Sequence, residues 1–275
     1  MIMNKASILE WEKLRFLGEG LWGSVYLAKI VSHSSSSIPS YVALKLADAN
    51  SSSTLQLEKT ILDDLKGCPQ IVQCFGCAFS VENGKLVYNL LLEYANGGTL
   101  EQLMEVSGDR MQEFEVSKFT YMLLKGLCHV HHKGYVHGDI KPDNILVFVT
   151  KQEDGEDEYS LKIADFGLAK STSCDNAGEV GIVGVDIWAL GSVVAEMLVG
   201  KSLWCSNVQL DVMLLIMCKE SVDKWLEILP EFLSREAKDF LRRCMTMNKN
   251  DRWTGDRLLR HPFITQFHGT SLCEI

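Results

Sequence analysis

Apolar and polar positions divide the chain into a strand-like first third and a helical remainder. Phe16 to Lys29 and Tyr41 to Ala47 are short apolar runs separated by a Ser-rich segment, Ser32 to Ser40, which reads as a solvated loop. Leu55, Leu57, Ile61, Leu62 and Leu65 approximate helical spacing, and Gly67 with Pro69 stops that helix. Ile71 to Ser80 and Lys85 to Tyr94 read as two more strands, with Glu82-Asn83-Gly84 as their turn. Ala95 to Gly98 is a polar, Gly-rich break and the predicted domain boundary, giving units 1–95 and 96–275. Beyond it, Phe114 to His132 forms a long amphipathic stretch. A short strand pair follows at Ile145 to Val149 and Leu161 to Ala164, flanking an acidic loop at Glu153 to Glu158. Helices are predicted from Asp186 onward. There is no internal repeat.

Gly181 to Val199 is apolar enough to suggest a membrane span, but Asp186 and Glu196 within it are costly at bilayer depth. A buried core helix is the better reading. Over 275 residues, 47% apolar and 23% charged, the chain can bury a substantial core, which excludes wholesale disorder. Its net charge of −9 argues against general nucleic-acid or anionic-membrane binding. Nine Cys without a secretory signal at Met1 to Glu10 read as reduced thiols in cytoplasm or nucleus. Cys74 and Cys77 form a single CxxC with no second ligand pair, so the thiols are read as small buried hydrophobes. His129, His131 and His132 cluster at a helix end without partners at metal-ligand spacing, and the stripe Val212 to Met217 reads as core packing.

Four motifs carry chemistry. Gly18-Glu19-Gly20-Leu-Trp-Gly23-Ser-Val25 is a G-x-G-x-x-G-x-V run. A dinucleotide loop would open a helix, whereas this run continues into strand-like Val25 to Ala28, as a Gly-rich hairpin closing over phosphates would. Val42-Ala43-Leu44-Lys45 follows. A Lys inside an apolar strand requires a partner, and Glu58 on the next helix can supply it. His137-Gly-Asp139-Ile-Lys141-Pro-Asp-Asn144 lies between a helix and the strand pair, and Asp165-Phe166-Gly167 comes 21 residues after Asn144. Asp139 can take a proton from an attacking hydroxyl, Lys141 can neutralise a transferring phosphoryl group, and Asn144 and Asp165 are oxygen donors of the kind Mg²⁺ prefers.

In this order, from Trp11 to Phe267, the motifs resemble the eukaryotic protein kinase family. Leu65 to Gly76, Tyr88 to Leu100 and Asp251-Arg-Trp-Thr254 are most similar to plant MAP kinase kinase kinases of the MEKK-like type. The resemblance implies an α+β bilobal fold, a β-rich N-lobe over a mainly helical C-lobe. It implies a serine/threonine kinase that uses ATP and Mg²⁺ on protein substrates, MAP kinase kinases among them; the acidic charge keeps nucleic acid and membrane out of the expected partners. Adenine would sit at the Glu93–Ala95 hinge, under Val25 and Ala43 and over Leu146, with Leu92 as gatekeeper. Leu62, Cys74, His137 and Phe166 would stack as the regulatory spine on Asp186. Lys45 and Glu58 pair, Asp139 is the base, Lys141 a phosphate ligand, and Asn144 and Asp165 hold the metal.

Two departures qualify the resemblance. Gly138 stands where many kinases carry Arg, which makes control by activation-loop phosphorylation less expected; Ser171, Thr172 and Ser173 are only weak phosphorylation signals. More seriously, eighteen residues, Leu168 to Val185, separate Asp165-Phe-Gly167 from Asp186, and the Ala-Pro-Glu block is absent. Gly178-Glu179-Val180 reads as the segment just before the buried helix. Exon skipping or a gene-model error would remove the second half of the activation segment in this way. Peptide positioning should suffer, which leaves an alternative: an ATP-binding pseudokinase acting as an interaction module. Arg252 resembles the Arg that pairs with the missing Glu. With Glu179 the only nearby substitute, it is expected to stay buried at a cost or turn to solvent.

Overall fold

The computed structural model describes residues 9–20, 23–32, 38–108, 110–172, 179–200 and 229–268. They fall into two compact units, each described by itself. The first comprises residues up to Gly67, Ile71–Asn96 and Asp165–Gly167; the second comprises Cys68–Gln70, Gly97–Ala164 and everything from Leu168 onward.

The first unit is an antiparallel sheet of β1 (Glu10–Gly20), β2 (Gly23–Ser32), β3 (Tyr41–Asp48), β4 (Cys74–Glu82) and β5 (Lys85–Glu93), in the order β1-β2-β3-β5-β4. The run Phe16 to Lys29 is thus two paired strands, with Gly20 opposite Gly23 across the Gly-rich turn. Alternation sets its core: Ala28, Ile30, Val42, Leu44 and Leu91 share one buried cluster, with Trp11, Ile38 and Phe75 packed against it. Between β4 and β5 the turn closes on Asn83 (φ 51°) and Gly84 (φ 77°). Two left-handed residues are what a two-residue hairpin loop requires. Helix α1 (Ser53–Asp64) buries Leu55, Glu58, Ile61 and Leu62; the first, third and fourth of these are its apolar stripe.

The second unit is built on α3 (Glu113–His132), preceded by α2 (Leu100–Ser107). Thr99 and Gln102 cap α2 reciprocally. Val116, Phe119, Leu123, Leu124, Leu127 and Val130 of α3 are buried, repeating every three to four residues. Around α3 lie the short strand β6 (Tyr135–Val136), the hairpin β7 (Ile145–Lys151) with β8 (Asp157–Ile163), β9 (Lys170–Ser171) paired to β6, and α4 (Glu179–Val199). Asp157 and Glu158, read from sequence as loop, pair with Lys151 and Thr150 in the hairpin instead. Residues 179 and 180 are already helical, so α4 takes in the part of the sequence read as its lead-in. Among the described residues no helix is long and apolar enough to cross a membrane. Helices α5 (Arg235–Met245), α6 (Gly255–Leu258) and α7 (Pro262–His268) complete the unit. The Val212–Met217 stripe lies outside the described residues.

Phe240 and Phe263 are fully buried with ring centroids 5.1 Å apart, and His261 meets Phe240 edge-on at 5.4 Å. Truncation of Phe240 to Ala leaves a ring-sized void and is expected to cost about 3–5 kcal/mol. Urea denaturation of Phe240→Ala beside the parent chain checks this; a loss under 1 kcal/mol would contradict the packing described.

Candidate functional site

In the first unit the predicted phosphate-side residues converge on Lys45. Its Nζ lies 2.7 Å from Glu58 Oε2 and 3.0 Å from Asp165 Oδ1. Lys45 and Glu58 are almost wholly buried. Burial disfavours the ammonium, but the two carboxylates outweigh it and hold Lys45 above its ordinary value. Burial likewise pushes the Glu58 carboxyl up, against the pull of Lys45. The other Glu58 oxygen, Oε1, accepts the Phe166 N–H at 3.3 Å. Glu58 therefore anchors the Asp165-Phe166-Gly167 backbone as well as Lys45, a contact with no signal in the sequence. Asp165 sits in left-handed backbone, φ 64°, a strained setting of the kind that persists where its surroundings fix it.

The Gly-rich hairpin pairs Gly18 with Val25, Glu19 with Ser24 and Gly20 with Gly23. A Cβ on Gly23 would lie 2.1 Å from Leu46 O on β3. At this position the glycine is needed for packing on the next strand, a reason beyond the phosphate approach read from sequence; a Cβ on Gly18 meets nothing within 4 Å. Val25 pairs with Lys45, Ala43 with Leu92, and Val42 with Glu93, whose N–H donates to Gln73 O at 2.9 Å. Ala95 lies two residues beyond the end of β5 at Glu93. Leu62, Cys74, Leu92 and Phe166 are all buried.

In the second unit the catalytic-loop residues are gathered on Asp139. Asn144 Nδ2 donates to Asp139 O and to Oδ2, both at 2.8 Å. Lys141 Nζ lies 3.0 Å from the same Oδ2. Leu146 is on β7, where Thr99 bridges to it. The loop hangs on the buried Asp186 of α4, which accepts from His137 N, from Gly138 N and from His131 Nε2, at 2.8, 2.8 and 2.9 Å. Burial alone would raise the Asp186 carboxyl; the His131 contact and the loop amides overcome it and hold the group below its ordinary value. Asp139 N donates to His137 Nδ1, so His137 Nε2 carries the proton and donates to Ala164 O at 3.0 Å. His132 meets Asp256 at 3.0 Å, so His131 and His132 serve separate carboxylates.

The thiols are not uniformly buried as read from sequence: Cys77 is exposed and Cys68 half-buried, while Cys74, Cys128 and Cys244 are buried. Cys77 alternates outward with Phe79 and Val81 on β4. Burial pushes the Cys74 and Cys128 thiols up, Cys128 to about 12, which makes them poor nucleophiles.

Arg252 departs from expectation. It neither sits unsatisfied nor turns to solvent. Its Nε donates to Thr246 O at 2.8 Å, Nη1 to Gly184 O at 2.7 Å and Nη2 to Met247 O at 3.4 Å, and the guanidinium lies 4.7 Å from the Trp188 ring centre. Gly184 in the second turn of α4, and Thr246 and Met247 just past α5, supply carbonyls where a carboxylate was looked for. The side chain of Glu179 lies outside the described residues.

The protein kinase domain model matches residues 11–182 and 176–264. The chain belongs to the protein kinase family. It is a serine/threonine kinase, and kinases of this family bind ATP and a divalent metal ion. It is 38% identical to mitogen-activated protein kinase kinase kinase 20 of Arabidopsis thaliana, over 94% of this chain and 79% of that one. It is 35% identical to kinase kinase kinase 17 of the same plant, over 94% and 70%, and 34% identical to kinase kinase kinase 18, over 93% and 78%. The first alignment spans 280 positions yet covers 94% of 275 residues, so about twenty positions have no counterpart in this kinase. The family model matches in two segments that overlap at 176–182, and the sequence between Asp165-Phe-Gly167 and Asp186 lacks the Ala-Pro-Glu block.

Two outcomes follow for the kinase's scaffold. Because the Asp186 carboxyl is held below its ordinary value, its contribution to stability is present above about 3.8, the ordinary carboxylate value, and is lost as pH falls through the lower folded value. Asp186→Asn should lose stability at neutral pH and show a flatter acid limb below pH 4, read by thermal melts across pH. Gly138 has φ 77°, and a Cβ there would lie 3.3 Å from Leu168 O. Gly138→Ala is therefore expected to cost about 1–2 kcal/mol; an unchanged melting temperature would contradict the left-handed assignment.

Proposed function

We propose that this kinase is a mitogen-activated protein kinase kinase kinase that moves the γ-phosphate of Mg²⁺-bound ATP to serine or threonine hydroxyls of MAP kinase kinases, in cytoplasm or nucleus. The observation that carries the reading is Lys45, desolvated and held cationic between Glu58 and Asp165. Such an ammonium is fixed in place for phosphate oxygens rather than mobile in water. The other site residues read from the sequence take the roles their chemistry suits. Gly18, Glu19, Gly20, Gly23 and Val25 form the hairpin over the nucleotide; Ala43, Glu93, Ala95 and Leu146 are its adenine contacts. Asn144 and Asp165 are hard oxygen donors that suit Mg²⁺. The Asn144 amide nitrogen is spent on Asp139, which leaves its carbonyl oxygen for a cation. Bound metal and ATP supply charge neutralisation and the phosphoryl group.

In the transfer the substrate Oγ forms a bond to the γ-phosphorus, the bond from that phosphorus to the ADP oxygen breaks, and the hydroxyl proton passes to Asp139. Asp139 Oδ2 is occupied by Asn144 and Lys141. Oδ1 takes part in neither contact and suits the incoming hydroxyl. Lys141, beside the base, suits the transferring phosphoryl charge. The interaction-module alternative has no observation that favours it over the enzyme.

The test is phosphate transfer to a generic basic protein, with melting temperatures taken with and without Mg·ATP. Lys45→Met should abolish transfer. Asp139→Asn should lower it by about 10²–10⁴-fold while leaving Mg·ATP stabilisation in place. Stabilisation by Mg·ATP in the parent chain without transfer above the Lys45→Met background would overturn the enzyme reading and establish the interaction module.

A further inference from the structure

A cavity of about 670 Å³ lies between α5 and the start of α7. Arg235, Lys238 and Arg242 of α5 line it. Their spacing of three and four residues puts them in one stripe along the helix. At 1.5 Å per residue the stripe runs about 10 Å. From Arg235 to Pro262 the chain holds eight Lys and Arg against four Asp and Glu, while the whole chain carries −9. The cavity is therefore a local basic surface on an acidic protein.

Two carboxylates, Glu236 and Asp239, line the same cavity. Asp239 is committed to its inner wall. Phe263 N donates to His261 Nδ1, so His261 Nε2 carries the proton and donates to Asp239 Oδ2 at 3.1 Å. Arg243 Nε donates to the same oxygen at 3.4 Å, and Arg243 Nη2 lies 3.4 Å from Oδ1. Burial would raise the Asp239 carboxyl; His261 and Arg243 overcome it and hold the group below its ordinary value. Arg243 is also held by Trp253, whose ring centre is 4.9 Å from the guanidinium. The outer stripe is less well matched. Arg242 shares Asp239 Oδ1 with Arg243, at 3.5 Å. Arg235 is exposed and Lys238 half-buried, and among the described residues no carboxylate pairs with either.

The spacing of the cations identifies the kind of occupant. One small anion meets one or two of the three positions, not the length of the stripe. An extended peptide advances about 3.3 Å per residue, so alternate side chains stand about 6.6 Å apart on one face. Lys238 and Arg242 are separated by about 6 Å of helix rise. Two carboxylates with one residue between them match that separation. An ammonium and a guanidinium both donate to carboxylate oxygens, the guanidinium through two N–H groups at once.

We infer that the cavity between α5 and α7 is a docking groove for an extended acidic peptide segment of a partner protein, its carboxylates at alternate positions received by Lys238 and Arg242, with Arg235 continuing the track. The groove is built by α5 and α7 alone and requires neither ATP binding nor phosphate transfer.

The experiment titrates the full chain into a labelled, acetylated and amidated peptide carrying Glu-Ala-Glu, read by fluorescence anisotropy at about 50 and about 200 mM salt. A Gln-Ala-Gln counterpart and a peptide with its two Glu adjacent are run beside it. Saturable binding of the Glu-Ala-Glu peptide is expected, several-fold weaker at the higher salt and absent with the Gln peptide. The adjacent pair should bind about three-fold more weakly, because neighbouring side chains of an extended chain point to opposite faces. Arg235→Gln and Lys238→Gln should each weaken binding about three-fold and melt with the parent chain, since neither breaks an ion pair among the described residues. Lys249→Gln, which removes the same charge outside the cavity, should bind as the parent does. Equal binding of the Glu and Gln peptides, or equal binding of the alternate and adjacent Glu pairs, would overturn the proposal. So would a loss in Lys249→Gln as large as that in Lys238→Gln. Inorganic phosphate competing as well as the peptide would overturn it in favour of a small-anion site, and tighter binding of a single-stranded oligonucleotide at the same residues would overturn it in favour of nucleic acid.

Discussion

The catalytic loop owes its shape to one buried carboxylate. Asp186 receives two consecutive loop amides and a histidine ring, three donors converging on a group with no exposure to solvent. A carboxylate in that position is tolerable only because every donor is in place; remove one and a charge is left desolvated. Immediately after these two amides the chain turns through Gly138, whose left-handed backbone (φ 77°) a glycine adopts at little cost. The orientation of His137, and through it the hydrogen bonds to Asp139 and Ala164, follows from that anchor.

A second constraint operates in the first unit. Lys45 and Glu58 are both buried, and neither could be so without the other. Asp165 completes the set at 3.0 Å, and the Phe166 amide closes on the far oxygen of Glu58. Replacing the pair with apolar residues of equal volume could leave stability unchanged or raise it, because desolvating two ions is expensive. That the charges are there is thus better explained by what an immobilised ammonium does for a phosphate than by what it does for the fold.

The sequence made the strands, the long helices and the hairpin turn at Asn83-Gly84 legible because each has a local cause: alternation, a repeat of three to four, and a pair of residues that tolerate positive φ. Lys45 with Glu58 was legible because a lysine in an apolar strand demands a partner. What was not legible depends on contacts between residues far apart in the chain. Nothing in the spacing of His131 and Asp186 marks them as partners, and no pattern shows that Glu58 serves the Phe166 amide. Gly23 was visible as a glycine, yet the carbonyl of Leu46 that excludes a side chain there is a tertiary fact. Cys77 was read as buried because cysteines usually are, and the period of β4 turned it outward.

Arg252 shows how a fold can absorb the loss of a partner. Sequence logic counts charges and finds the arginine without its glutamate. The structure counts donors and acceptors instead. Gly184 near the start of α4 and Thr246 and Met247 after α5 present carbonyls, and a guanidinium carries five N–H groups in a plane, so three neutral oxygens and the Trp188 face satisfy much of what one carboxylate would. Carbonyls satisfy hydrogen bonds without cancelling charge. The scaffold around Arg252 can therefore stand without the missing block. Absence of the block is expected to bear on substrate positioning more directly than on the fold. Phosphoryl transfer depends on that positioning for much of its rate, and this is why the chain's retained nucleotide chemistry and its altered peptide-binding side can be tested as separate properties.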